Sequence, residues 1–150
     1  MKTEWTLPEL RDLFRAMPRT SPSVFRCLAP ASGHGTYLKK SAGKRHFADV
    51  RVEAHPAETF LLRLLHEWPS SAPPFVVAAL DDALLGGMVE GSYTAFPEPI
   101  WGCSLSCTAV TYVSGETTPL GTSIAASLAV QNLLTSGRWL VDGPPAKVPA

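Results

Sequence analysis

Apolar and polar side chains alternate most cleanly between Phe47 and Glu53, where Phe47, Asp49, Arg51 and Glu53 share one side and Ala48, Val50 and Val52 the other. A period of two with one dry side predicts a half-buried strand. Cys103 to Tyr112 repeats the pattern, with Cys103, Leu105, Cys107 and Ala109 opposed to Ser104, Ser106, Thr108 and Val110. Ser23 to Ala29, carrying Val24, Phe25 and Leu28 and closed by Pro30, predicts a third strand. Thr59 to Glu67 is too uniformly apolar for its period to separate helix from strand, and Trp68-Pro69 stops it short.

Three stretches carry helical spacing instead. Thr6 and Glu9 stand at the separation of a capping box, and Leu10, Leu13, Phe14 and Met17 follow as one stripe before Pro18, predicting a helical extension over residues 1–20. That stripe packs on its own domain or docks a protein partner. Ser70 and Ser71 precede Pro73-Pro74, where a helix can start without losing a bonded N–H. Phe75, Val76, Ala79, Leu80, Ala83 and Leu84 form its buried face, and Gly86-Gly87 is expected to end it. Asp81 and Asp82 are adjacent, so they diverge by about 100° and are expected to face water rather than converge on a substrate. Thr122 or Ser123 is expected to cap the last helix, with Ile124, Ala125, Leu128, Ala129 and Leu133 inward and Gly137 at its end. Between these elements, Ser32-Gly33-His34-Gly35 reads as a turn, Met88 to Glu98 as a linker, and the proline-rich residues 141–150 as a flexible tail.

Composition narrows the classes. With 150 residues and 45% apolar content the chain suits one domain, 1–150, with a real core. Lys plus Arg and Asp plus Glu both number 13, so the whole molecule exerts no long-range pull on nucleic acid or an anionic membrane, and any RNA contact must be local. No apolar run is long enough to cross a bilayer and the first residues lack a signal peptide's apolar segment, which makes the cytoplasm the expected location and a membrane partner unexpected. Cys27, Cys103 and Cys107 are odd in number and lack metal-ligand spacing, so they are expected to be small buried hydrophobes. No Gly-x-x-x-x-Gly-Lys-Ser/Thr loop is present; no nucleotide, cofactor or metal is expected.

Charge is concentrated in one place. Lys39, Lys40, Lys44, Arg45, His46 and Arg51 crowd the entrance to the Phe47–Glu53 strand around Ser41-Ala42-Gly43. This run resembles the corresponding strand of domain IV of elongation factor G, the ribosomal translocase, which is entered through Ser-Gly-Gly-Arg-Gly-Gln-aromatic-Gly-x-Val. Ser41, Gly43, Phe47 and Val50 match, Lys44 keeps the charge of the Arg, and Ala42, Arg45, His46 and Ala48 depart. Over residues 23–137 the order of elements also follows the family, which places a strand at Thr59 to Glu67. The resemblance implies the ribosomal protein S5 domain 2-like fold: an α+β two-layer sandwich, a mixed four-stranded sheet with both long helices on one face, here with the N-terminal helix added. It further implies a tip loop over Val113 to Gly121. Family members carry a histidine there, and an ungapped count puts Thr117 in its place.

The resemblance implies a non-catalytic protein of translation that meets ribosomal RNA or the ribosome through two tip loops, with Lys39, Lys40, Lys44, Arg45, His46, Thr117 and Thr118 as the contact residues. Cationic side chains on a projecting turn hold phosphates without reading sequence. Two other classes stand beside this one. The first is a protein-interaction module or homodimer built on the N-terminal helix, Trp101 or Trp139. The second is a small enzyme of the same fold superfamily, for which Cys103 and Cys107 are the available nucleophiles and His55 or His66 the partners to look for.

Overall fold

The computed structural model describes residues 2–6, 9–10, 24–95 and 100–141. Seven strands and two long helices make up a two-layer α+β sandwich among these residues. In chain order they are β1 (Glu4–Thr6), β2 (Val24–Cys27), β3 (Ala31–Ser41), β4 (Lys44–Pro56), β5 (Leu61–Leu64), α1 (Pro74–Ala95), β6 (Ile100–Thr111), α2 (Pro119–Ser136) and β7 (Trp139–Val141).

The strand expected from Cys103 to Tyr112 is the axis of the sheet. β6 pairs antiparallel with β4 along Cys103 to Thr111, parallel with β5 along Ser104 to Cys107, and parallel with β2 along Ile100 to Gly102. β3 closes onto β4, β1 onto β5 and β7 onto β2. The alternation in β4 holds as read: Ala48, Val50, Val52 and Ala54 are buried, while Arg51 and Glu53 are exposed. In β6 the alternation breaks, because the register against β4 slips between Arg51 and Val52, leaving Thr108 without a Cα partner on that strand. Ser104 and Ser106 are buried as well as the cysteines.

Besides Phe75, Ala79 and Leu128, which were expected to face inward and are exposed, four expectations need correction. The sheet has seven strands rather than four, β1, β3 and β7 being added, and Ser32-Gly33-His34-Gly35 is not a turn but part of the eleven-residue β3. The glycines there answer a packing need: a Cβ at Gly33 would overlap the Ala129 carbonyl of α2, and one at Gly35 the Ala125 carbonyl. α2 can lie against β3 only where both side chains are missing. Likewise Gly86-Gly87 does not end α1, and Met88 to Ala95 is helix rather than linker. Gly87 and Gly91 face Ser123 and Ser127 of α2 with no room for a Cβ, and Met88 and Val89 are buried beside them. Glycine costs a helix about 1 kcal/mol relative to alanine, less than burying those apolar side chains gains at roughly 1.5–3 kcal/mol each.

The third correction concerns the chain's start. Glu4–Thr6 is a strand on β5, and of the helix expected through residue 20 only residues 9–10 are described as helical. One half of the capping box forms, the Thr6 N–H donating to Glu9 Oε1 at 3.2 Å, and the Thr6 hydroxyl donates to the same oxygen at 3.0 Å. Lys2 also pairs with Glu9, and these bonds hold the Glu9 carboxyl below its usual range, the lysine first. Residues 11–20 and the tail 142–150 lie outside the described residues. Finally, α2 starts at Pro119 with Thr118 as its cap, its hydroxyl accepting from the Gly121 N–H at 3.1 Å. Thr122 is buried inside the first turn instead. Gly137 does end α2, its N–H bonding to the Leu133 carbonyl.

Candidate nucleic-acid interface

The basic segment is the end of a long hairpin. Ser41 pairs with Lys44 across a two-residue turn, Ala42-Gly43, in which both residues have positive φ, 50° and 77°. That backbone suits the twist of paired strands and is why a glycine stands at position 43. Lys40 faces Arg45 and Lys39 faces His46 across the ladder. Cross-strand partners share a face, and Ala48, Val50 and Val52 mark the face toward α2. Lys39, His46 and Lys44 therefore lie on the α2 side and Lys40 and Arg45 on the open side. Lys39, Lys40, Lys44 and Arg45 are exposed and His46 is half-buried.

The two predicted tip loops, about 70 residues apart in the chain, come together. The loop after β6 turns at Val113 to Glu116 and is fastened to β4: the Phe47 N–H donates to the Glu116 carbonyl at 3.0 Å, and Thr117 Oγ1 donates to the Phe47 carbonyl at 3.1 Å. Arg45 Nε lies 3.3 Å from Glu116 Oε1, and its guanidinium sits 5.1 Å from the Phe47 ring centroid. So Lys44 and Thr117 do share one end of the molecule.

Both threonines of the loop make internal hydrogen bonds. Thr117 is buried, and its hydroxyl also accepts from the Val113 N–H at 2.9 Å. Thr118 is spent on capping α2. Arg45 is partly neutralised by Glu116. Lys39, Lys40 and Lys44 have no ion-pair partner among the described residues. Glu116, which couples the hairpin to the loop, carried no signal in the sequence, since nothing in its neighbourhood marks it as a partner for Arg45.

Two histidine clusters lie elsewhere. On the open sheet face His34 Nε2 is 2.6 Å from Asp49 Oδ2, and the Thr36 hydroxyl donates to the same oxygen at 3.1 Å. Thr36 and Asp49 meet the same ring nitrogen, whereas a catalytic triad uses both nitrogens of its histidine in series. The second cluster corrects the reading of Asp81: it is half-buried, accepting from His66 Nε2 at 2.8 Å and Trp68 Nε1 at 2.7 Å, while Asp82 is exposed as expected. With Lys2, Glu67, Ser70 and Val77 these three line an open cleft of about 540 Å³. Cys107 lies behind the network but is fully buried, and burial pushes its thiol up to about 12. Cys103 is raised by burial too, and Cys27 is buried. Thiols so protonated are poor nucleophiles.

By its architecture the chain falls in the class of two-layer α+β proteins with a mixed sheet. Among solved structures it is similar to a crystal structure of a protein from Thermus thermophilus, at 21% identity and a TM-score of 0.65 over 81% of this chain. The match covers 18% of that longer chain, and at this identity it speaks for the fold alone. No protein-family model and no curated protein sequence matches the chain.

Proposed function

We propose that the protein is a non-catalytic RNA-binding module whose cationic tip, the end of the β3–β4 hairpin braced by the Val113–Thr117 loop, rests on structured RNA of the ribosomal kind. The observation that carries this reading is the joining of the two segments at one end, through Phe47, Glu116 and Thr117, beneath Lys39, Lys40 and Lys44, which have no ion-pair partner among the described residues. A braced two-stranded projection keeps these lysines in place, so little ordering entropy is lost when they meet phosphates. The likeness of Ser41, Gly43, Lys44, Phe47 and Val50 to elongation factor G domain IV points the same way. Thr117 and Thr118 shape the tip without touching the ligand.

Filter binding with a structured fragment of ribosomal RNA tests it. Lys44→Glu combined with Lys40→Glu should weaken binding at least about tenfold at about 100 mM salt. Binding unchanged by that double reversal removes the RNA reading.

A further inference from the structure

Among the described residues β3 is an edge strand, and its outer edge is divided. Residues 33, 35, 37, 39 and 41 direct their backbone groups at β4, because Ser41 and Lys44 flank a two-residue turn and must be a hydrogen-bonded pair. Ser32, His34, Thr36, Leu38 and Lys40 therefore direct theirs outward. On the first half of the edge α2 covers them: Asn132 Nδ2 donates to the His34 carbonyl at 2.7 Å, and Ser136 Oγ to the Ser32 carbonyl at 3.3 Å. Past His34 no described side chain does this. Thr36, Leu38 and Lys40 are exposed, Leu38 by 54%, in a stretch free of proline and bulge.

Such a window is a template for strand addition. An extended partner would gain up to about six main-chain hydrogen bonds, from the outward N–H and C=O groups of Thr36, Leu38 and Lys40. Its side chains would alternate, one row beside Leu38 and Lys40 on the open face and the other beside Lys39 on the α2 side. Charge selects the occupant. Lys39, Lys40 and Lys44 bracket the end of the window, so a second copy, paired antiparallel about Leu38, would bring two lysine clusters within a few residues of each other. A segment with carboxylates opposite Lys39 and Lys40 would be attracted by the same groups.

We infer that the outer edge of β3 from Thr36 to Lys40 accepts an extended acidic peptide as an additional strand, with a β-branched apolar residue beside Leu38 and glutamates or aspartates beside Lys39 and Lys40. This inference stands apart from the RNA reading, although an acidic strand held here would compete for the same lysines. Lysines on an edge also serve simply to keep it from aggregating, and the experiment separates the two roles.

The probe is a blocked hexapeptide, Glu-Glu-Glu-Val-Ser-Thr, added at millimolar concentration to the isotope-labelled full chain while amide hydrogen exchange is followed. The amides of Thr36, Leu38 and Lys40 should slow at least about tenfold, and a lysine-for-glutamate peptide should leave them unchanged. Leu38→Pro removes only an outward N–H, so it should keep the hairpin, judged by unchanged exchange at Tyr37 and Lys39, and lose the peptide effect while RNA binding persists. If the acidic peptide leaves the three outward amides as they were, or slows those of Thr36 and Lys40 equally in Leu38→Pro, the inference is overturned. Slowing that depends on protein concentration without peptide would assign the edge to a second copy and overturn it as well.

Discussion

The seam between α2 and β3 and the tip of the β3–β4 hairpin lie on the same strand, yet they are built by opposite means. At the seam side chains are removed: Gly33 and Gly35 bring backbone against backbone, and Ala125, Ala129 and Leu133 fill the space around them. At the tip side chains project, and Lys39, Lys40 and Lys44 are exposed. Close packing makes the seam intolerant of added volume, while solvent leaves the tip indifferent to it. One strand thus forms a packed wall at one end and an exposed cationic tip at the other. The change from one to the other falls near Tyr37, whose ring packs at Gly121 in the first turn of α2.

The sharpest way to break this contrast is to add volume to the wall. Gly35→Val should cost about 3 kcal/mol or more, since its Cβ would need the space of the Ala125 carbonyl. Gly43→Ala, with no atom within 4 Å of its Cβ and only a positive φ to strain it, should cost about 1 kcal/mol. Urea unfolding followed by circular dichroism gives both values, and equal costs would refute the contrast.

An effect that is smaller per unit of pH tests the buried cysteines of β6. Burial raises the Cys103 and Cys107 thiols, so the native state holds protons that the unfolded chain releases. Their contribution is complete below the ordinary thiol pKa, about 8.5. It is lost as pH climbs from there toward 12, by at most about 1.4 kcal/mol per thiol per pH unit. Urea midpoints measured between about pH 8 and 10.5 should fall accordingly, and Cys103→Ala should flatten the fall. Smallest of all, Lys39→Gln, Lys40→Gln and Lys44→Gln should each change stability by less than about 0.5 kcal/mol, read from the same urea curves.

What the sequence disclosed follows the same division. β4 was legible because Phe47 to Glu53 alternates and nothing interrupts it. The cationic turn was legible because six basic groups, Lys39, Lys40, Lys44, Arg45, His46 and Arg51, stand close together in a neutral chain. β3 and the second half of α1 were not, since Gly33, Gly35, Gly86 and Gly87 are read locally as places where the backbone turns. Three of the four are instead places where another backbone passes, and only the partner element, α2, reveals that. Asp81 was misread for a related reason: the helix period puts it beside Asp82 at the surface, and its partners His66 and Trp68 come from a segment with no period of its own. The fastening of Phe47 to Glu116 and Thr117 depends on two loops meeting, which the resemblance to a translation factor anticipated and no local pattern did.

The most direct measurement of the central claim is the salt dependence of RNA affinity. If Lys39, Lys40 and Lys44 each hold one phosphate, log K against log salt concentration should have a slope of about −2 to −3. Replacing each lysine with glutamine should make it shallower by nearly one unit. A slope near zero, or one that survives all three replacements, would contradict the account.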